Sequence, residues 1–105
     1  MSNTDKPALQ AAVLFIGFKR YEESKRVIEA IRAAKPPRFY FACDGARPDK
    51  EGEAEAVEMV RSLAKLVDWP CEFKTRFSEK NQSVRFGPPA AIDWFFEHEE
   101  EGIIM

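Results

Sequence analysis

An apolar stretch that ends in Asp-Gly constrains the fold of this chain more than any other feature. Residues 38–45 read Arg-Phe-Tyr-Phe-Ala-Cys-Asp-Gly. The aromatic and apolar run is typical of a strand buried on both faces, as in a parallel sheet, and Asp-Gly marks a sharp turn after it. Ligands of open α/β sheets bind beyond the carboxyl ends of the strands. Asp44 is therefore the main functional candidate, as an acceptor for a ribose, a base edge or a sugar. The alternative is an aspartate that stabilises its own turn by bonding the loop backbone.

The rest of the chain alternates between strand and helix patterns. Strands are predicted at 11–18, 38–43, 71–77 and 103–105, and helices at 21–34, 50–67 and 90–101. The third strand is short and polar, so we expect it at the sheet edge. Asp49 is a candidate N-cap for the second helix, and Pro88-Pro89 is interpreted as the start of the third. This βαβαβαβ order predicts an α/β fold with a parallel sheet and helices on both faces. The last strand is expected beside the first.

Length and composition limit the classes of protein to consider. The 105 residues predict one domain, with residues 1–10 as a flexible tail. A formal net charge of −2 argues against a general nucleic-acid or membrane-surface binder. No apolar run reaches the roughly 18 residues of a membrane span. The two cysteines, Cys43 and Cys71, are interpreted as reduced, buried thiols of a cytoplasmic protein, and their spacing does not suggest zinc.

Residues 78–87 are interpreted as a polar, partly basic loop before the third helix. Arg76, Lys80 and Arg85 could meet a diphosphate together with the backbone N–H groups at the helix start, and an ordinary charged loop is the alternative. The acidic residues at 97–101 are interpreted as a solvated helix end, and the aromatic residues at 94–96 as core packing.

Four sequence elements in this order carry a family resemblance. They are the apolar strand 12–18 leading into a charged helix, the strand ending in Asp44-Gly45, the loop Phe-Ser-Glu-Lys-Asn-Gln-Ser-Val-Arg at 77–85 followed by Ala-Ala-Ile-Asp-Trp-Phe-Phe at 90–96, and Glu-Glu-Gly-Ile-Ile at 100–104. Together they resemble the amino-terminal part of nucleotide-diphospho-sugar transferases of the GT-A fold, the inverting family-2-like glycosyltransferases. The resemblance covers nearly the whole chain and implies the Rossmann-like half of a GT-A fold.

The resemblance also implies which residues hold a ligand. In that family, residues at the end of the first strand and an aspartate after the second strand hold the nucleotide, and the loop before the third helix packs against the nucleotide and donor sugar. The expected nucleotide-binding residues are therefore Phe18, Lys19, Asp44, Asn81 and Arg85, with Gly87 as a further candidate. Family loops of this kind often carry glycine where this chain has Ser83.

Sugar transfer also needs a divalent cation held by carboxylates and a base for the acceptor proton. In the family the acidic metal motif, of the Glu-Asp-Asp or Asp-x-Asp type, follows the last strand and so would lie beyond Met105. The resemblance thus implies a truncated domain that binds a UDP-type nucleotide-sugar but is inactive alone, with no catalytic or metal residue assigned. Manganese or magnesium is expected only for a full-length relative.

Two other interpretations of the sequence remain open. The first is a small α/β module without ligand chemistry that forms a homodimer or larger assembly through an open sheet edge at 103–105. The second is a phosphate-binding regulatory domain of flavodoxin-like topology, although the chain lacks a clustered acidic pocket and a glycine-rich first loop.

Overall fold

The chain folds into a four-stranded, all-parallel sheet flanked by three α-helices, as the alternating pattern predicts. The structure, a computed structural model, describes residues 10–105, so all of the predicted tail except Gln10 lies outside the described residues. The elements are β1 (Val13–Gly17), α1 (Tyr21–Ala34), β2 (Arg38–Cys43), α2 (Glu53–Arg61), a 3-10 helix (Ser62–Leu66), β3 (Glu72–Phe77), α3 (Ser83–His98) and β4 (Ile103–Ile104).

The strands lie in the order β3-β2-β1-β4. The polar β3 is at one edge, and β4 lies beside β1, so both placements expected from the sequence are confirmed. Val13 is in register with Phe39 of β2 on one side and with Ile103 of β4 on the other. Because the chain runs outward from β1 to β3 and then returns to the far side of β1, the direction of strand addition reverses between β1 and β4. Such a reversal is where open α/β sheets bind ligands.

Alternate residues of the two central strands enter separate cores on the two faces of the sheet. Phe15, Phe39 and Phe41 pack against residues from α1 and α2. Leu14, Tyr40 and Ala42 pack against Ala91 and Phe95 of α3. Covering both faces explains why β1 and β2 are apolar at almost every position rather than at every second one.

The second helix begins later than the sequence suggests. Its N-cap is Gly52, with a φ of 80°, and its first residue is Glu53, so the assignment of Asp49 as the N-cap is wrong. Glycine adopts this left-handed conformation without the steric cost of a Cβ atom. The helix ends at Arg61 and continues as the 3-10 helix, where the predicted helix ran on to Val67.

The third helix begins earlier than expected. It starts at Ser83, and Pro88 and Pro89 lie inside it, so the interpretation of Pro88-Pro89 as the helix start is wrong. Each proline removes one backbone hydrogen bond from the helix. Only Val84 and Phe86 are apolar among residues 83–87, and their spacing of two is not that of a helix, so the sequence pattern does not indicate the first turn.

The acidic end of α3 is solvated, as expected, except at Glu99. Its carboxylate accepts hydrogen bonds from Arg38 Nε at 2.9 Å and from Tyr40 Oη at 2.6 Å. Burial, followed by the hydrogen bond to Glu99, raises the pKa of Tyr40 above its ordinary value. This cluster ties the carboxyl end of α3 to the start of β2.

Candidate functional site

A cavity of about 630 Å³ lies at the carboxyl ends of β1 and β2. Its walls come from the end of β1 and the residues after it, the first turns of α1, the end of β2, the loop after β3 and the first turns of α3. Its volume falls within the range of small-molecule sites, about 300–1,000 Å³. Its position matches the crevice that the reversal of strand order creates.

Asp44 lines this cavity, and its carboxylate connects two loops. Oδ1 accepts hydrogen bonds from the backbone N–H of Gly45 at 2.8 Å and of Gln82 at 2.8 Å, and Oδ2 lies 3.0 Å from the same Gln82 nitrogen. The loop-stabilising role that the sequence left open is therefore present. A carboxylate has about four acceptor positions, so these contacts leave Oδ2 able to accept a further hydrogen bond from a ligand.

The loop after β3 is held closely against the loop after β2. Asn81 Nδ2 donates to the carbonyl oxygen of Gly45 at 2.8 Å, and Asn81 Oδ1 accepts from the backbone N–H of Ser83 at 2.9 Å. A Cβ atom on Gly45 would lie 2.7 Å from the carbonyl oxygen of Glu79. Asn81 thus lines the cavity, and its hydrogen bond to Gly45 holds the loop after β3 against the loop after β2.

Ser83 begins α3 in an uncommon conformation. Its φ is 67°, in the left-handed region that favours glycine. The Ser83 hydroxyl accepts a hydrogen bond from the backbone N–H of Arg85 at 3.2 Å. Backbone strain of this kind often occurs at ligand sites.

The structure brings most of the predicted binding residues to the cavity. Phe18, Lys19, Asp44, Asn81 and the further candidate Gly87 line it. Arg85 is exposed, its guanidinium lies 5.6 Å from the ring centroid of Phe86, and it is not among the lining residues. Of the basic residues 76, 80 and 85, only Arg76 lines the cavity.

Arg47 and Glu53 are site residues that the sequence analysis missed. Arg47 lines the cavity, and its guanidinium forms two hydrogen bonds with the buried carboxylate of Glu53, which also pairs with Lys19. The hydrogen bonds from Arg47 hold the pKa of Glu53 well below its ordinary range. In the sequence Glu53 is one of several glutamates near a helix start, where acidic residues are common, so no signal distinguished it.

Positive charge predominates in the lining. Its charged residues are Lys19, Arg20, Arg47 and Arg76 against Glu23 and Asp44. Arg76 has no ion-pair partner among residues 10–105. The N-termini of α1 and α3 also border the cavity, and the partial positive charge of a helix N-terminus adds to the field. This arrangement favours an anionic ligand.

Neither a metal-binding cluster nor a membrane-spanning helix occurs among residues 10–105. These residues contain no group of three or more His, Cys, Asp and Glu side chains that could hold a metal ion. No helix within them is long and apolar enough to cross a bilayer.

No protein-family model matches the chain, and no curated protein or solved structure matches it either.

Proposed function

We propose that the cavity binds a nucleotide-sugar of the UDP type, and that the chain is the nucleotide-sugar-binding half of a glycosyltransferase-like domain. The observation that carries the proposal is the cation-rich cavity at the carboxyl ends of β1 and β2, where the strand order reverses. The proposed role of the chain is binding, with no residue assigned to the transfer step. The free thiols of Cys43 and Cys71 fit the cytoplasmic location that we propose for it.

The cavity has the mixed lining that a nucleoside requires. Apolar atoms of Phe15, Ile16 and Ala42 form part of its wall, with Phe18 beside them. Small-molecule sites combine such an apolar lining with a few polar groups that orient the ligand. Asp44 supplies one of these groups, since Oδ2 can accept a hydrogen bond from a ribose hydroxyl or a base N–H.

Arg76 is the residue that we propose binds the diphosphate. Its side chain is half-buried at the end of β3 beside Ala42, the residue that is in register with it. A guanidinium without a carboxylate partner can form paired hydrogen bonds with phosphate oxygens.

Titration of UDP and UDP-sugars by calorimetry, with and without Mn²⁺, tests the proposal. We expect Arg76→Gln to weaken UDP binding by about 10- to 100-fold, since a hydrogen bond to a charged group contributes about 1.5–3 kcal/mol. Lys74→Gln is the matched control, because Lys74 precedes Arg76 on the same face of β3 and does not line the cavity. Absence of saturable binding to the wild-type chain, or equal affinities for both variants, would contradict the proposal.

The exposed apolar strand β4 supports a second candidate function. Ile103, Ile104 and Met105 are 40%, 42% and 49% exposed, and within residues 10–105 β4 pairs only with β1. Open strand edges recruit strands from other chains. The alternative proposal is an α/β interaction module that forms a homodimer through this edge.

Sedimentation equilibrium distinguishes this alternative. Ile104→Lys should shift a dimer to monomer, because lysine on an edge strand opposes strand pairing. Met59→Lys, on the exposed face of α2, serves as a control that should leave the dimer intact. A wild-type chain that stays monomeric at high concentration would rule out the interaction module.

A further inference from the structure

One buried carboxylate organises two of the cations at the cavity. Arg47 donates to Glu53 through Nε at 2.9 Å and through Nη2 at 2.7 Å, and its backbone N–H donates to the same carboxylate at 2.9 Å. Lys19 Nζ lies 3.2 Å from Glu53 Oε2. We call these three residues the Glu53 cluster.

Within the Glu53 cluster the carboxylate is buried, whereas the two cations are partly exposed. The side chain of Glu53 is 3% exposed, whereas those of Lys19 and Arg47 are 42% and 40% exposed. Only the two cations line the cavity. The cluster therefore presents positive charge to the cavity and keeps its compensating carboxylate beneath the surface, with an excess of one positive charge.

Both cations keep donors for a ligand. Arg47 uses Nε and Nη2 on Glu53, which leaves Nη1 without a hydrogen-bond partner among the described residues, and Lys19 has further ammonium protons available. Their charged groups lie 6.0 Å and 5.8 Å from the ring centroid of Phe18. Contacts with Glu53 and Phe18 restrict both side chains before a ligand arrives, which reduces the entropy cost of binding.

We propose that Glu53 is a positioning residue that holds Lys19 and Arg47 as a clamp for the phosphate groups of the ligand. This inference rests on the proposed function, because it assigns the cluster to the diphosphate of the same nucleotide. If Glu53 acted only through its charge, its removal would strengthen anion binding. If it positions the two cations, its removal weakens anion binding.

The test compares Glu53→Gln and Glu53→Asp with the wild-type chain, using UDP, inorganic pyrophosphate and uridine as ligands. Glutamine removes the charge, and aspartate keeps the charge but shortens the side chain. We expect either variant to weaken UDP and pyrophosphate binding by about tenfold, the effect of losing one charge-assisted hydrogen bond. Uridine, which has no phosphate, should bind the variants and the wild-type chain equally.

Glu23→Gln is the control for charge. Glu23 also lines the cavity, but its hydrogen bond is to Arg20 rather than to either cation of the cluster. Removing this carboxylate should leave the clamp in place and strengthen UDP binding through the more positive field. Circular dichroism checks that each variant is folded, and Glu53→Asp decides the question if Glu53→Gln does not fold.

The outcomes separate this inference from the proposed function. Wild-type UDP binding that both Glu53 variants retain at equal or higher affinity overturns the clamp and leaves the proposed function standing. Pyrophosphate binding that depends on Glu53, without any UDP binding, supports the clamp and overturns the proposed function. Binding of neither ligand to the wild-type chain overturns both.

Discussion

The carboxylate of Asp44 accepts a hydrogen bond from the backbone N–H of Gln82, a residue 38 positions further along the chain. The contact joins the loop after β2 to the N-cap of α3. Two walls of the cavity are therefore held together by Asp44, a residue that itself lines the cavity. Asp44 combines a structural role with a proposed binding role, and experiments on it have to separate the two.

Replacing Asp44 should reveal the structural role. Asp44→Ala leaves the N–H groups of Gly45 and Gln82 without their acceptor, so we expect the free energy of unfolding to fall by about 1–3 kcal/mol. Asp44→Asn keeps one carbonyl oxygen and should cost less. Urea denaturation measures both, and Asp93→Ala, at an exposed position of α3, should change stability by no more than about 0.5 kcal/mol. Equal stability of the alanine variant and the wild-type chain would contradict this role.

Two glycines should respond differently to the same substitutions. A Cβ on Gly45 would lie 2.7 Å from backbone atoms of Glu79 and Lys80, whereas one on Gly52 would meet nothing within 4 Å. Gly52 instead has a φ of 80°, which asparagine tolerates better than alanine does. We expect Gly52→Asn to be more stable than Gly52→Ala.

At Gly45 both alanine and asparagine should destabilise the fold, by about 1–3 kcal/mol or more, because the neighbouring backbone cannot move aside like a side chain. Thermal unfolding of the four variants measures the pattern. A tolerated Gly45→Ala would show that the two loops are not in close contact.

Replacing Ser83 by glycine should give a more stable protein than replacing it by alanine. Both substitutions remove the hydroxyl that accepts the N–H of Arg85, but only glycine relieves the positive φ. The difference in unfolding free energy between Ser83→Gly and Ser83→Ala therefore isolates the backbone strain, which we expect to be about 1–2 kcal/mol in favour of glycine. Chemical denaturation measures it, and equal stabilities would show that residue 83 is not in a left-handed conformation.

Tyr40 should contribute a pH dependence on the alkaline side. Its pKa is raised by burial and by Glu99, so the unfolded chain releases the phenolic proton at a lower pH than the folded chain. The stabilisation is fully present below about pH 10, the ordinary value, and declines as the pH rises above it.

Tyr40→Phe lacks this titration, so the stability difference between wild type and variant should shrink above about pH 10. Urea denaturation of both proteins between neutral and alkaline pH measures the difference. A difference that is independent of pH would contradict the buried, hydrogen-bonded phenol.

Local patterns were sufficient to predict the sheet. The apolar runs of β1 and β2 reflect burial on both faces, and the polar sequence of β3 reflects its place at the edge. The start of α3 could not be predicted in this way, because the residues from Ser83 to Gly87 show no helical period of apolar residues and precede two prolines. Its position depends on contacts with distant residues, such as those between Asp44 and Gln82 and between Asn81 and Gly45.

By itself, the sequence determined the α/β class, the parallel sheet and the placement of Asp44 at a strand end, because each follows from burial patterns and turn residues within a short stretch of chain. Only the tertiary structure decided which charged residues meet at the cavity. Arg47 lies in the loop after β2, Glu53 is the first residue of α2, and Lys19 follows the end of β1. Charge contacts of this kind depend on how separate segments pack, so they leave no periodic trace in the sequence.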